Sequence, residues 1–254
     1  MFPLTHIATA QAVLGKENNM TVLGSVFPDF VTYLGIGRNV GHELGQDLYN
    51  YCQSNYPECV DFALAVLTHG TSLPGIDSYA DEVYHHKRPG FCFQEGAKIA
   101  PLVEKYCKVP ANMALWKAHN FIEIAFDVLT AAKYPDLQAR AERHIYSPNE
   151  PVIEMLHHYL QVPKASLEKM FQVTPRQFCF DGTNVALITE KFLDSLERRH
   201  GIVGGDLEKA TEISRQAVEI ITPQYEDFMT EVLSKISDDL SKLPTAQTAI
   251  LLEG

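Results

Sequence analysis

The stretch WKAHNFIEIAFD, residues 116–127, places His119, Glu123 and Asp127 at i, i+4 and i+8 on one face of an otherwise apolar helix. Burying a polar group without a partner costs about 2–7 kcal/mol, and a charge costs more. The three groups therefore need each other, solvent or a cation. A second stretch, IDSYADEVYHH (76–86), has the same construction. Asp77, Asp81 and His85 recur every four residues beside Ile76, Tyr79, Ala80 and Val83, with His86 as an alternative to His85. A solvated helix face gives the same row. Two such helices facing one another, however, would supply several nitrogen and oxygen ligands to a first-row metal, as helical bundles do. Neutral imidazole with carboxylate suits zinc, iron or manganese better than calcium or magnesium.

Four more residues belong to the same inventory: His6 in LTHIATA, Asp29 in GSVFPDF, His42 in VGHELG and His69 in FALAVLTHG. Taken singly they are bland. His6 reads as a core or capping histidine, Asp29 as a cap at a helix-to-loop junction, and His69 as a partner for a backbone carbonyl at a helix end. Six of the ten histidines precede residue 120, which assigns the chemistry to the first half of the chain.

The elements that must hold these residues are helices. Apolar residues repeat at helical spacing over 4–15, 44–54, 58–69, 76–87, 93–107, 111–133, 137–145, 150–161, 164–171, 175–199 and 206–243, and strand signals are few. SVFPDF, LGIGRNVG, GTSLPG and KRPGF read as the breaks, and Pro223 should kink or split the last segment. The expectation is an all-α multi-helix bundle. Residues 1–145 would form a metal-binding helical core and 146–254 a helical extension packed on it, or the two would make one domain.

A hydrophobic fraction of 46% and a charged fraction of 21% are those of an ordinary globular chain. With a net charge of -11 and no long Lys/Arg cluster, a basic nucleic-acid groove is not expected. Five cysteines at irregular spacing point to reduced thiols. No run of apolar residues is long enough for a membrane span, and MFPLTHIATAQAVLG lacks the basic start and apolar stretch of a signal peptide. A cytoplasmic protein is expected.

On these residues the sequence resembles the zinc-dependent phospholipase C family, whose helical fold is shared by single-strand-specific zinc nucleases. The likeness covers roughly residues 1–130. It consists of an early helix with Thr5-His6, LGSVFPDF with Asp29, His42 thirteen residues on, an apolar helix reaching His69, and HNFIE with His119 and Glu123. The resemblance implies a cluster of two or three zinc ions, with manganese or iron as substitutes, and metal-bound water attacking a phosphodiester. His6, Asp29, His42, His119 and Glu123 match the family's ligands. In the middle the family reads H-x-x-x-D-x-x-x-H, whereas this chain has Asp77, Asp81 and His85. Either Asp77 stands for the first histidine or His69 supplies that ligand. Asp81 is the candidate bridge between two ions, and Asp29 another direct or bridging oxygen ligand. These two aspartates are the candidate catalytic residues.

The expected function is a phospholipase C-like, metal-dependent phosphodiesterase or phosphomonoesterase acting on a small phosphoester. Acidic charge and the lack of a basic interfacial helix favour a soluble substrate over a bilayer. Two alternatives remain. An HD-type metallophosphohydrolase requires an adjacent His-Asp pair, which is absent. A non-enzymatic helical metal-binding or scaffold protein would use the same polar rows as a buried network. No nucleophile elbow or phosphate loop is present, since GIVGGD (201–206) lacks the following Lys-Ser/Thr.

Overall fold

The computed structural model of the chain describes residues 3–81, 89–146, 149–177 and 181–244, and every α or 3-10 element among them is helical. The first half contains α1 (Pro3–Leu14), α2 (Asn19–Phe30), α3 (Arg38–Glu43), α4 (Gly45–Asn55), α5 (Val60–His69), α6 (Ile76–Ala80), α7 (Phe91–Gly96) and α8 (Ala100–Cys107). The long α9 (Ala111–Lys133) follows, then α10 (Leu137–Ile145), α11 (Glu150–Leu160) and α12 (Lys164–Val173). The chain closes with α13 (Val185–His200), α14 (Leu207–Ile221) and α15 (Tyr225–Leu240). No helix among the described residues is long and apolar enough to cross a membrane.

Two helices depart from the sequence expectation. SVFPDF, read as a break, is the end of α2, and Pro28 lies inside it. Proline removes one backbone bond of its helix, but here the helix ends two residues later, and Phe27 and Phe30 on either side of it are fully buried. The start of α2 is fixed by Asn18, whose side chain accepts from the Thr21 amide at 2.9 Å, while Thr21 Oγ1 accepts from the Asn18 amide at 3.0 Å. The second departure is α3, which falls in the stretch read as LGIGRNVG loop. The segment 93–107 also divides, into α7 and α8, and the row expected over 76–87 is helical only to Ala80, with 82–88 outside the described residues. The last segment does split around Pro223, into α14 and α15.

α2 lies directly on α5, and Gly24 is what allows it: a Cβ there would stand 2.2 Å from the Phe62 carbonyl oxygen. That contact belongs to one apolar cluster, which includes Leu4, Phe27, Phe30, Phe62 and Phe171. A second cluster joins α9 to α13, α14 and α15 through Phe121, Ile122, Phe126, Phe192, Ile213 and Ile221. Both clusters draw residues from before and after position 145. The four described cysteines, Cys52, Cys59, Cys92 and Cys107, are buried free thiols.

Candidate metal centre

Between these clusters, α1, α2, α3, α5, α6 and α9 bring most of the candidate residues together. Three helix ends meet first. His42 comes from α3, His69 is the last residue of α5, and Asp77 lies in the first turn of α6. Their placement depends on Gly70, because a Cβ there would lie 2.2 Å from the His42 carbonyl oxygen, which accepts from the Thr71 amide at 2.8 Å.

The three side chains form a triangle. His42 Nε2 and His69 Nε2 are 3.2 Å apart, and Asp77 Oδ2 is 3.1 Å from the first and 3.5 Å from the second. Ligand atoms about 2.0–2.1 Å from a tetrahedral zinc ion stand roughly 3.3–3.4 Å from one another, so the triangle has the dimensions of three corners of such a site.

Hydrogen bonding settles the tautomers. His42 Nδ1 lies 2.8 Å from the Arg38 carbonyl oxygen and His69 Nδ1 lies 2.6 Å from that of Ser25. A carbonyl only accepts, so both Nδ1 atoms carry a proton, and each ring in its neutral form turns a bare Nε2 lone pair inward. Two lone pairs facing at 3.2 Å repel unless something positive lies between or beside them. A single extra proton on one ring serves some edges of the triangle; a cation serves all three.

His6 and Asp29 complete this half. The His6 ring stacks on that of His69 with centroids 3.5 Å apart, and its Nε2 is 3.7 Å from Asp77 Oδ1. Asp29 Oδ1 is 3.8 Å from His42 Nε2. Ligating atoms of His6, Asp29 and His69 lie within 4.8 Å of one another, as do those of His42, His69 and Asp77. The alternatives left open by sequence, His69 or Asp77, thus meet in one cluster.

A second group consists of Asp81, His119 and Glu123, again with ligating atoms within 4.8 Å and all three buried. His119 Nε2 and Glu123 Oε2 are 3.9 Å apart, and the His119 ring stacks on Phe93. Arg38 links the halves, with one guanidinium nitrogen 3.2 Å from Asp77 Oδ2 and 3.0 Å from Asp81 Oδ2. Buried His, Asp and Glu groups here could therefore hold metal ions. His85 and His86, the remaining candidates, lie outside the described residues.

Electrostatics agrees with the donor chemistry. Burial lowers the pKa of His42, aided by Arg38, and takes that of His6 well below the usual imidazole range, so both rings are neutral nitrogen donors. Burial brings His119 down to about 4. Asp77 and Glu123 are lowered against the burial that works to raise them. Asp77 is held well below the carboxylate range and Glu123 at about 2. Asp81 behaves oppositely. Burial and the charge of Glu123 push it well up, and its Oδ1 is buried with no hydrogen-bond partner among the described residues. A buried polar atom without a partner costs about 1–3 kcal/mol, and a cation beside Oδ1 would offset that.

Asp127, third on the face with His119 and Glu123, does something else. Its Oδ1 accepts from the Thr5 amide at 2.8 Å and the Thr5 hydroxyl at 2.6 Å, and its Oδ2 accepts from the Leu4 amide at 3.2 Å. It clamps the start of α1 and so positions His6. Burial pushes its carboxyl up to about 7 against those three bonds.

Beside the cluster lies a cavity of about 300 Å³ whose wall includes Asp29, Arg38, His119 and Glu123. Asn120 also lines it, donating from Nδ2 to Glu123 Oε2 at 2.6 Å and lying 3.2 Å from His119 Nε2. The far wall comes from α9 and α13 and includes Trp116, Lys117 and Arg199. Arg38, Asn120 and this far wall were not singled out by sequence. The only sequence signal was for Asn120, a polar residue between His119 and Glu123 in an apolar helix.

Comparison with known proteins finds no family model, no curated protein and no solved structure that matches this chain. The resemblance to zinc-dependent phospholipase C therefore stands on the motif residues alone.

Proposed function

We propose that this protein is a metal-dependent phosphoester hydrolase that uses zinc or a similar first-row ion. The carrying observation is the triangle of His42 Nε2, His69 Nε2 and Asp77 Oδ2, with edges of 3.1–3.5 Å and both histidine Nδ1 atoms tied to backbone carbonyls. His6, Asp29, His42, His69 and Asp77 would hold one ion, and Asp81, His119 and Glu123 another. Bound there, such ions would make hydroxide available near neutral pH and offset charge on a phosphoryl group.

The chain's own residues supply the rest. Asp29, 24% exposed at the cavity wall, would orient the attacking water and accept its proton. The water oxygen bonds to phosphorus, the bond from phosphorus to the leaving oxygen breaks, and that oxygen takes up the proton Asp29 received from the water. Arg38, whose side chain is 44% exposed, faces both the acidic cluster and the cavity and can pair with a phosphoryl oxygen. The cavity favours an enzyme over a purely structural metal site, because a scaffold has no need of an opening onto its ligands.

The test begins with elemental analysis of protein purified without added metal or chelator. The same samples are then assayed on a panel of activated phosphomonoesters and phosphodiesters, with short-chain phospholipids included. Activity should be abolished by chelator and restored by zinc or manganese. A fully metallated protein inert toward the whole panel would refute the hydrolase reading and favour the scaffold.

A further inference from the structure

In a chain of net charge -11, the wall of the cavity away from the acidic cluster is basic. Lys117 on α9 and Lys191, Arg198 and Arg199 on α13 line it. None of the four has a carboxylate within 4.0 Å among the described residues. Several lysines and arginines elsewhere are held by acids, as Lys16 is by Asp61, Lys133 by Glu226 and Arg140 by Glu17, while other lysines, such as Lys105 and Lys209, likewise have no such carboxylate among the described residues.

Lys117 is the most telling member. It is only 5% exposed, yet its ammonium group is satisfied by neutral neighbours alone. It donates to His200 Nε2 at 2.8 Å and stands 3.5 Å from the centre of the Trp116 ring. Keeping a buried cation without a counter-ion is costly unless an anion arrives. Apolar Ile188 and Phe192 line the same cavity. A volume of about 300 Å³ suits a small molecule and not a polymer strand or a lipid bilayer.

We propose that Lys117, Lys191, Arg198 and Arg199 form a second anion site, so that the substrate is a small phosphoester carrying another phosphate beyond the one that reacts. This deepens the hydrolase reading and rests on it for the placement of the reacting phosphate. One phosphate would face the acidic metal-binding side, the apolar middle of the molecule would cover Ile188 and Phe192, and the second phosphate would meet the arginines and lysines. A phosphate carries up to two negative charges and several acceptor oxygens, which matches four cations better than a carboxylate does.

Trp116 is the only tryptophan in the chain and lines this cavity, so its fluorescence reports on the site directly. The metal-loaded protein is titrated with alkanediyl bisphosphates of rising length and with alkyl monophosphates of matching length, at low and high salt. At least one bisphosphate should bind on the order of tenfold more tightly than its monophosphate, with the advantage shrinking in salt. Arg199→Gln, at an exposed position, and the double variant Lys191→Ala/Arg199→Gln should lose that advantage with metal content unchanged. No preference for any bisphosphate, or a preference intact in both variants, overturns the proposal. The two readings fail separately. Metal-bound, active protein without the preference removes the second anion site and leaves the hydrolase. Metal-free, inert protein that still binds bisphosphate through Arg199 removes the hydrolase and leaves the anion site.

Discussion

Removing metal should destabilise this fold, and acid should do so from the same side of the pH scale. An ion held by the folded cluster and not by the unfolded chain stabilises by RT ln(1 + [L]/Kd), about 4 kcal/mol at a thousandfold excess over Kd. In a chain of this length each kcal/mol moves the melting temperature by about 2–4 °C, so chelation should lower Tm by about 8–16 °C. The acid limb follows from the buried histidines. His119 is brought down to about 4 by burial, against about 6.5 in an unfolded chain. Between those values the unfolded state binds the additional proton, so the stability is complete above pH 6.5 and is lost as pH falls toward 4. The gap is worth about 3 kcal/mol. His6 and His42, also lowered by burial, act in the same direction, whereas Asp127, raised to about 7, and Asp81, raised well above the carboxylate range, act in the opposite one, so the histidine limb is read from the metal lost as pH falls. Because ion and proton compete for the same lone pairs, metal should be released over the same range. Calorimetry from pH 8 to 4.5, with and without chelator, and metal content measured on each sample, check this. A Tm indifferent to chelator in protein that carries metal, or metal retained in full as pH falls from 6.5 to 4.5, would refute the reasoning.

Substitutions at three positions separate the roles of individual residues. Asp81→Asn keeps the shape of a buried side chain whose charge is disfavoured by burial and Glu123; turnover of an activated phosphoester should drop by about a hundredfold or more while the Tm of the metal-free protein holds or rises, since the lost charge matters to the ions and not to the metal-free fold. Asp127→Ala strands the Leu4 amide and both Thr5 donors and should cost about 2–4 kcal/mol in denaturant unfolding. Asp127→Asn, which keeps an acceptor for Thr5, should cost about 1 kcal/mol, and a larger loss would show that the charge at the start of α1 matters more than the bonds. Gly70→Ala, forced to within 2.2 Å of the His42 carbonyl oxygen, should weaken metal binding by about 10–100-fold, read by competition with a chromophoric chelator.

The helical class and the pairing of His119 with Glu123 were legible because both are properties of one segment: a repeat of 3.6 residues carries them whatever else the chain does. The same repeat could not say that Asp127, on the same face, belongs to the start of α1, because its partners Leu4 and Thr5 lie more than a hundred residues away. Pro28 misled for a related reason. Its cost is local and visible, while the burial of Phe27 and Phe30 that sustains α2 is visible only once α5 is packed against it. The triangle of His42, His69 and Asp77 sits between these extremes. Each residue was suspect by type, but their meeting depends on how the ends of α3, α5 and α6 converge, with Gly70 allowing the approach. The basic wall was invisible altogether. Lys117 and the Arg198-Arg199 pair are ordinary surface charges in sequence, too short a run to suggest a groove. Only the docking of α9 against α13, through Phe121 on Phe192 with ring centroids 5.1 Å apart, turns them into one wall. In an acidic chain a cationic site therefore has to be assembled from distant helices, and net charge alone says nothing about the sign of the ligand it receives.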